Sequence, residues 1–155
     1  MNPEFAGYIA NLPAQLKALL ASPPLRAPAL APGLPAAGVY LFSESGTHLY
    51  VGRTNDLRQR IQTHGRDSSH IGAANFAFRL ARETCDVVTV SYAAVAPEDD
   101  YRLQEPFLTA FRDAKTRIRQ MDVRIVAESH PVQQMLLEAY VAVALQTPYN
   151  DFDNH

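Results

Sequence analysis

The sequence predicts an α+β fold: a small, mostly antiparallel three-stranded central sheet flanked by helices, with a helical insertion and an N-terminal helical extension. Three observations predict it. Two short β-branched and aromatic runs, Gly38-Val39-Tyr40-Leu41-Phe42 and His48-Leu49-Tyr50-Val51-Gly52, answer each other across Ser43-Glu44-Ser45-Gly46-Thr47, a polar, Gly-containing spacer that reads as a hairpin loop. A third run, Asp122 to Ala127 with Val123, Ile125 and Val126, reads as a strand interior to the sheet. Between and around these strands, apolar residues recur at helical spacing in several segments.

The chain opens with Phe5, Tyr8, Ile9, Leu12, Leu16, Leu19 and Leu20, an amphipathic helix or helix pair that Pro13 should bend or divide. Five prolines between Ser22 and Pro35 then exclude a helix or central strand and mark an extended connector. Residues 1–36 are therefore read as an extension with its linker, and 37–155 as the main domain. After the hairpin, Asn55 or Asp56 can cap a helix from Leu57 to about His64. Residues 65–72 form a polar loop, Ala73 to Glu83 a short helix with Phe76, Phe78 and Leu80 on its core side, and Val87 to Val95 an extra strand. Arg79 and Arg82 read as solvated charges more readily than as phosphate contacts. Asp99 and Asp100 precede a segment with Leu103, Phe107, Phe111, Ala114 and Ile118 at helical spacing, and Pro106 sets its first turn near Glu105. Its other side carries Arg112, Lys115, Arg117 and Arg119, a candidate nucleic-acid face or a solvated one. Residues 65–121 together form the insertion. Pro131 starts the last helix, in which every residue from Met135 to Leu145 except Glu138 is apolar or Tyr, so it is expected to be the central buried helix. A lone carboxylate there requires an ion pair, a metal or a local opening to solvent.

Length and composition bound the function. At 155 residues the chain holds one domain with a proper core, and 47% hydrophobic with 19% charged residues is a globular composition. A net charge of −2 is awkward for a nucleic-acid protein and demands that positive charge be gathered locally. The single Cys85 excludes an internal disulfide and a multi-Cys zinc site. No apolar run approaches a membrane span and the N-terminus has no signal-like pattern, so a cytoplasmic location with no membrane partner is expected.

Gly38-Val39-Tyr40, Tyr50-Val51-Gly52, Arg60 and His64 one helical turn apart, Glu138 in the late helix, and Asn150 in Thr147-Pro148-Tyr149-Asn150 together resemble the GIY-YIG endonuclease signature, as in excision-repair incision subunits and in homing and restriction enzymes. The resemblance spans about Ala37 to Asn150. It implies a DNA endonuclease in which Tyr40 is the general base and Glu138 holds the metal. The residue types fit that chemistry. Glu138 suits one hard divalent cation, Mg²⁺ with Mn²⁺ as a substitute, and no second carboxylate is tied to it by motif, which favours a single-metal mechanism. Arg60 offers a bidentate fork to phosphate, and His64, with a near-neutral unperturbed pKa, can receive the proton that Tyr40 takes from water. Tyr50 can hydrogen-bond phosphate or water. On the substrate side, Gly52 permits close approach, Arg53 adds a phosphate contact, and Asn150 fixes the site, more by bonding backbone than by touching substrate. DNA is the expected partner, and the protein a monomer or a weak homodimer through its N-terminal helix. The rival reading is a non-catalytic nucleic-acid-binding or protein-interaction module that keeps the fold.

Overall fold

A computed structural model describes residues 1–87 and 95–153. Its elements are α1 (Pro3–Ala21), β1 (Gly38–Glu44), β2 (Thr47–Thr54), α2 (Leu57–Gly65), α3 (Asn75–Thr84), α4 (Phe107–Arg119), β3 (Asp122–Ala127) and α5 (Pro131–Leu145). The strand expected over 87–95 falls almost wholly outside the described residues.

The sheet is antiparallel throughout, in the order β2-β1-β3. The strand expected to be interior, β3, is therefore an edge strand, and β1 is the central one. Its five-residue apolar run is the reason: both faces of β1 are covered, so consecutive residues Val39, Tyr40, Leu41 and Phe42 are all buried. Tyr40 and Phe42 point into a core shared with α2, α3 and α4, while Val39 and Leu41 point into a second core with α1 and α5. The hairpin turn is Ser45-Gly46, both with positive φ (51° and 80°), the backbone that matches strand twist in a two-residue connection.

Helix α1 runs unbroken through Pro13. The ring removes one hydrogen bond without ending the helix, because Leu12 and Leu19 on either side are anchored in the second core. The apolar face offered for a homodimer is thus occupied within the chain by α5 and β3. Nor is the Pro-rich connector free. Leu25 pairs with Val123 at the outer edge of β3, Ala27 is buried, and Arg58 of α2 donates to the carbonyls of Leu30 and Ala31.

Two expectations about helices are corrected. Helix α5 is not buried all round: it lies on one sheet face beside α1, so Val132, Met135 and Val143 on its outer side are exposed. Helix α4 begins only at Phe107, and Asp100 instead caps the short turn Tyr101–Leu103 by accepting from the Arg102 N–H. The basic side of α4 is largely consumed internally. Buried Lys115 donates to the carbonyls of Asp67 and Ser69 and sits over the Phe111 ring, Arg117 pairs with Glu44, and Arg119 pairs with Asp67. Those cations hold the 66–72 loop and the hairpin tip, and do not form a free phosphate-binding face.

Candidate active site

A β-bulge assembles the site. Counting back from the Ser45-Gly46 turn, Ser43 pairs with His48, but one step further Phe42 pairs with Tyr50, leaving Leu49 as the extra residue of β2. Without that bulge Tyr40 would oppose Val51, and Tyr40 and Tyr50 would point to opposite faces, since a one-residue slip flips every side chain. With it, Tyr40 opposes Gly52, and both phenols share the α2 side of the sheet, ring centroids 6.4 Å apart.

Gly52 has a different use from the one expected. A Cβ there would lie 2.3 Å from the Tyr40 Oη and 2.4 Å from Cζ, so the glycine makes room for the Tyr40 ring and not for substrate. Gly38 is required for a similar reason, because its Cβ would meet the Val126 carbonyl oxygen at 2.1 Å.

Helix α2 is capped by Asp56, which accepts from the Gln59 N–H. The cap fixes the helix so that His64 meets Tyr40: Oη and Nε2 are 2.7 Å apart, with Tyr40 1% and His64 0% exposed. Phe42 and Phe76 pack edge-on to the imidazole, and Phe76 stacks on Tyr50 at 4.8 Å. In this apolar surround burial, and then the charge of Arg60, push the His64 pKa down to about 3. The ring is neutral at pH 7, and among the described residues its Nδ1 has no partner. A proton on Nδ1 would be a buried donor without an acceptor; on Nε2 it is donated to the Tyr40 oxygen. The hydrogen-bonding environment thus assigns the Nε2–H tautomer. This corrects the expectation that His64 takes a proton from Tyr40, because burial has removed its basicity.

That burial makes a stability prediction. Between about pH 3 and 6.5 the unfolded chain protonates His64 and the folded chain does not. The stabilisation is therefore complete above pH 6.5 and is lost as pH falls through that window, by on the order of 1.4 kcal/mol per pH unit. Denaturant melts from pH 7.5 to 4.5 should show this slope in the wild type and a slope one proton shallower in His64→Phe; equal slopes would contradict the buried neutral imidazole.

Burial raises the pKa of Tyr40 and of Tyr50, and the Arg60 guanidinium opposes the rise in both. Arg60 anchors one arm by donating to the Ala73 carbonyl at 2.7 Å, and its charge also acts on Glu138. The ion pair of Glu138 is made by Arg53, whose Nε lies 3.0 Å from Oε2, with the side chains 22% and 43% exposed respectively. Arg53 is therefore placed against the carboxylate and not held out as a separate phosphate contact. Strand alternation explains it: Tyr50 and Gly52 face α2, so Arg53 faces α5. Burial raises the Glu138 pKa above its ordinary value, against the pull of Arg53 and, more weakly, of Arg60 and Arg79.

Asn150 does what a strand edge requires. Its Oδ1 accepts from the Val51 N–H at 2.9 Å and its Nδ2 donates to the Val51 carbonyl at 2.8 Å, which satisfies the outward backbone groups of β2 between Tyr50 and Gly52. Oδ1 also accepts from the Thr147 hydroxyl at 2.8 Å, so the side chain positions the strand. Arg79, read from the sequence as a solvated charge more readily than as a phosphate contact, is drawn to the site. It donates to the Tyr149 carbonyl, and its charge reaches Tyr50 and Glu138.

The antiparallel three-stranded sheet flanked by helices is consistent with the GIY-YIG fold. Residues 36–105 match the family model described as the GIY-YIG catalytic domain, which supports a likeness of this part of the chain to the GIY-YIG endonuclease superfamily. No curated protein and no solved structure matches the chain. Glu138 and Asn150 lie beyond the matched residues. Among the described residues, no helix is long and apolar enough to cross a membrane.

Proposed function

We propose that the protein is a divalent-metal-dependent endonuclease that hydrolyses DNA phosphodiester bonds by in-line attack of water. Residues 37–155 form its nuclease unit and 1–36 an extension packed on it. The observation that carries the reading is the Tyr40–His64 hydrogen bond beside Arg60, a buried phenol within electrostatic reach of the Glu138 carboxylate.

The donor set fits a single hard cation. Among the described residues no group of three His, Cys, Asp or Glu converges; Glu138 would hold the ion, with water and phosphate oxygens completing its shell. Arg53 engages only Oε2. Bound there, Mg²⁺ or Mn²⁺ supplies positive charge at the phosphate and at the leaving 3′ oxygen. The rest is done by side chains of the chain itself. Arg60 places its charge near the phosphate and beside both phenols. Tyr40 removes the proton of the attacking water from its phenolate form, which burial disfavours and which the Nε2–H of His64 and the charge of Arg60 help to reach. Tyr50 orients phosphate or water by its hydroxyl.

The test is cleavage of a panel of supercoiled, linear, branched and single-stranded DNA with Mg²⁺, Mn²⁺ or EDTA. Cutting that requires the ion supports the reading and identifies the substrate. Binding without cutting on every member would favour a non-catalytic binding module on the same fold.

A further inference from the structure

Beside the nuclease site lies a cavity of about 620 Å³, between the C-terminal half of α3 and the segment after α5. We infer that it receives an unpaired nucleobase of the substrate, next to the scissile phosphate, through a base edge that carries N–H donors. The inference rests on the nuclease reading and narrows its substrate to nucleic acid with an extrahelical or single-stranded nucleotide at the cut.

Position comes first. Asn150 and Arg79 belong to both places: Asn150 clamps Val51 between Tyr50 and Gly52 and also lines the cavity, while Arg79 lines it and acts on Tyr50 and Glu138. A nucleotide whose phosphate sits at the phenols therefore has its base within reach of the opening. The volume lies in the range of ~300–1,000 Å³ typical of pockets for ligands of this size.

The chemistry of the lining then selects the occupant. Glu83, Asp86, Asp151 and Asp153 outnumber Arg79 and Arg82, so the cavity repels a phosphate. Those carboxylates do not converge as a metal site among the described residues. They are hydrogen-bond acceptors, which suit the amino groups of cytosine, adenine and guanine and oppose the carbonyls that flank the single N–H of thymine. Part of the lining is aromatic. Tyr149 is held by donating its hydroxyl to Glu83 and by packing against Phe76, and Phe152 is 59% exposed, a flat apolar face at the rim. Stacking on such rings is how unpaired bases are held.

The experiment uses the whole chain in EDTA, so that nothing is cut. Duplexes with a single bulged 2-aminopurine or cytosine, a bulged thymine, or no bulge are titrated by anisotropy, and 2-aminopurine fluorescence reports stacking. The expected result is about tenfold tighter binding of the cytosine bulge than of paired duplex, the low end for one stacked base, with the thymine bulge in between and the 2-aminopurine quenched. Phe152→Ala should bring bulged duplex to the paired level and remove the quenching, while cleavage of any paired substrate in Mg²⁺ stays as in wild type; Asp153→Asn should narrow the gap between cytosine and thymine. Equal binding of bulged and paired duplex, or full quenching in Phe152→Ala, would overturn the inference. If paired duplex is cut without a bulge preference, only the cavity assignment falls; if bulges are preferred but nothing is cut in Mg²⁺, only the nuclease reading falls. Binding of neither overturns both.

Discussion

Glu138→Gln is expected to slow single-turnover cleavage by at least about 10³-fold, roughly 4 kcal/mol of transition-state stabilisation, while DNA affinity measured in Ca²⁺ changes little. The substitution is nearly isosteric and leaves an oxygen for the Arg53 Nε, so the ion pair becomes a hydrogen bond from the guanidinium to a neutral amide at a part-buried position. With Arg53 still 43% exposed to water, losing the charge attraction is worth about 1 kcal/mol or less in stability. Removing a desolvated charge also relieves the burial that raises its pKa, so the folded state is not expected to suffer. Activity should therefore collapse without unfolding, as single-turnover rates and a thermal melt on the same preparation will show. A rate within tenfold of wild type would remove Glu138 from the chemistry.

Gly52→Ala should be among the most damaging single-methyl changes, alongside Gly38→Ala, and is the one that strikes the site directly. The added Cβ falls 2.3 Å from the Tyr40 Oη, and Tyr40 has no room to retreat, with Phe42, Tyr50 and His64 around it. Overpacking of this kind costs about 1–3 kcal/mol, and loss of the buried Tyr40–His64 hydrogen bond adds about 1 kcal/mol. Cleavage should fall with it, because the displaced phenol is the proposed base. Two comparisons isolate the cause. Gly7→Ala, in α1 with nothing within 4 Å of the new carbon, should be neutral or slightly stabilising. In a Tyr40→Ala background, Gly52→Ala should cost far less than alone, since the two residues share one space. Additive effects in that cycle would contradict the packing account.

These two residues also mark how far the sequence could be read. The hairpin was legible because Ser45-Gly46 sits between two apolar runs, and the α2 cap because Asp56 precedes the first helical residue. The pairing of Tyr40 with Gly52 was not, since it depends on the bulge at Leu49, and nothing in His48-Leu49-Tyr50 marks an extra residue. The Arg53–Glu138 pair was partly within reach: alternation along β2 puts Arg53 opposite in sense to Gly52, but which helix covers that face is a tertiary fact. Asn150 and Val51 are 99 residues apart, and a side chain that completes a strand edge leaves no periodic trace. Lys115 and Arg117 were read as a surface stripe because helical spacing places them there, whereas packing against the 66–72 loop and the hairpin tip decides what they do. Pro13 illustrates the same priority, with tertiary anchoring overriding a local helix breaker.

The most direct measurement is the pH dependence of single-turnover cleavage for wild type and Tyr40→Phe in Mg²⁺. The wild-type rate should climb with pH through the neutral and alkaline range, because the phenol titrates above its ordinary value, and no inflection should appear near pH 6.5, because His64 stays neutral there. Tyr40→Phe should lose about 10²–10⁴-fold, the range for a general base, together with that climb. A Tyr40→Phe enzyme that keeps both the rate and the profile would contradict the assignment of Tyr40 as the base and, with it, the role given to the His64 hydrogen bond.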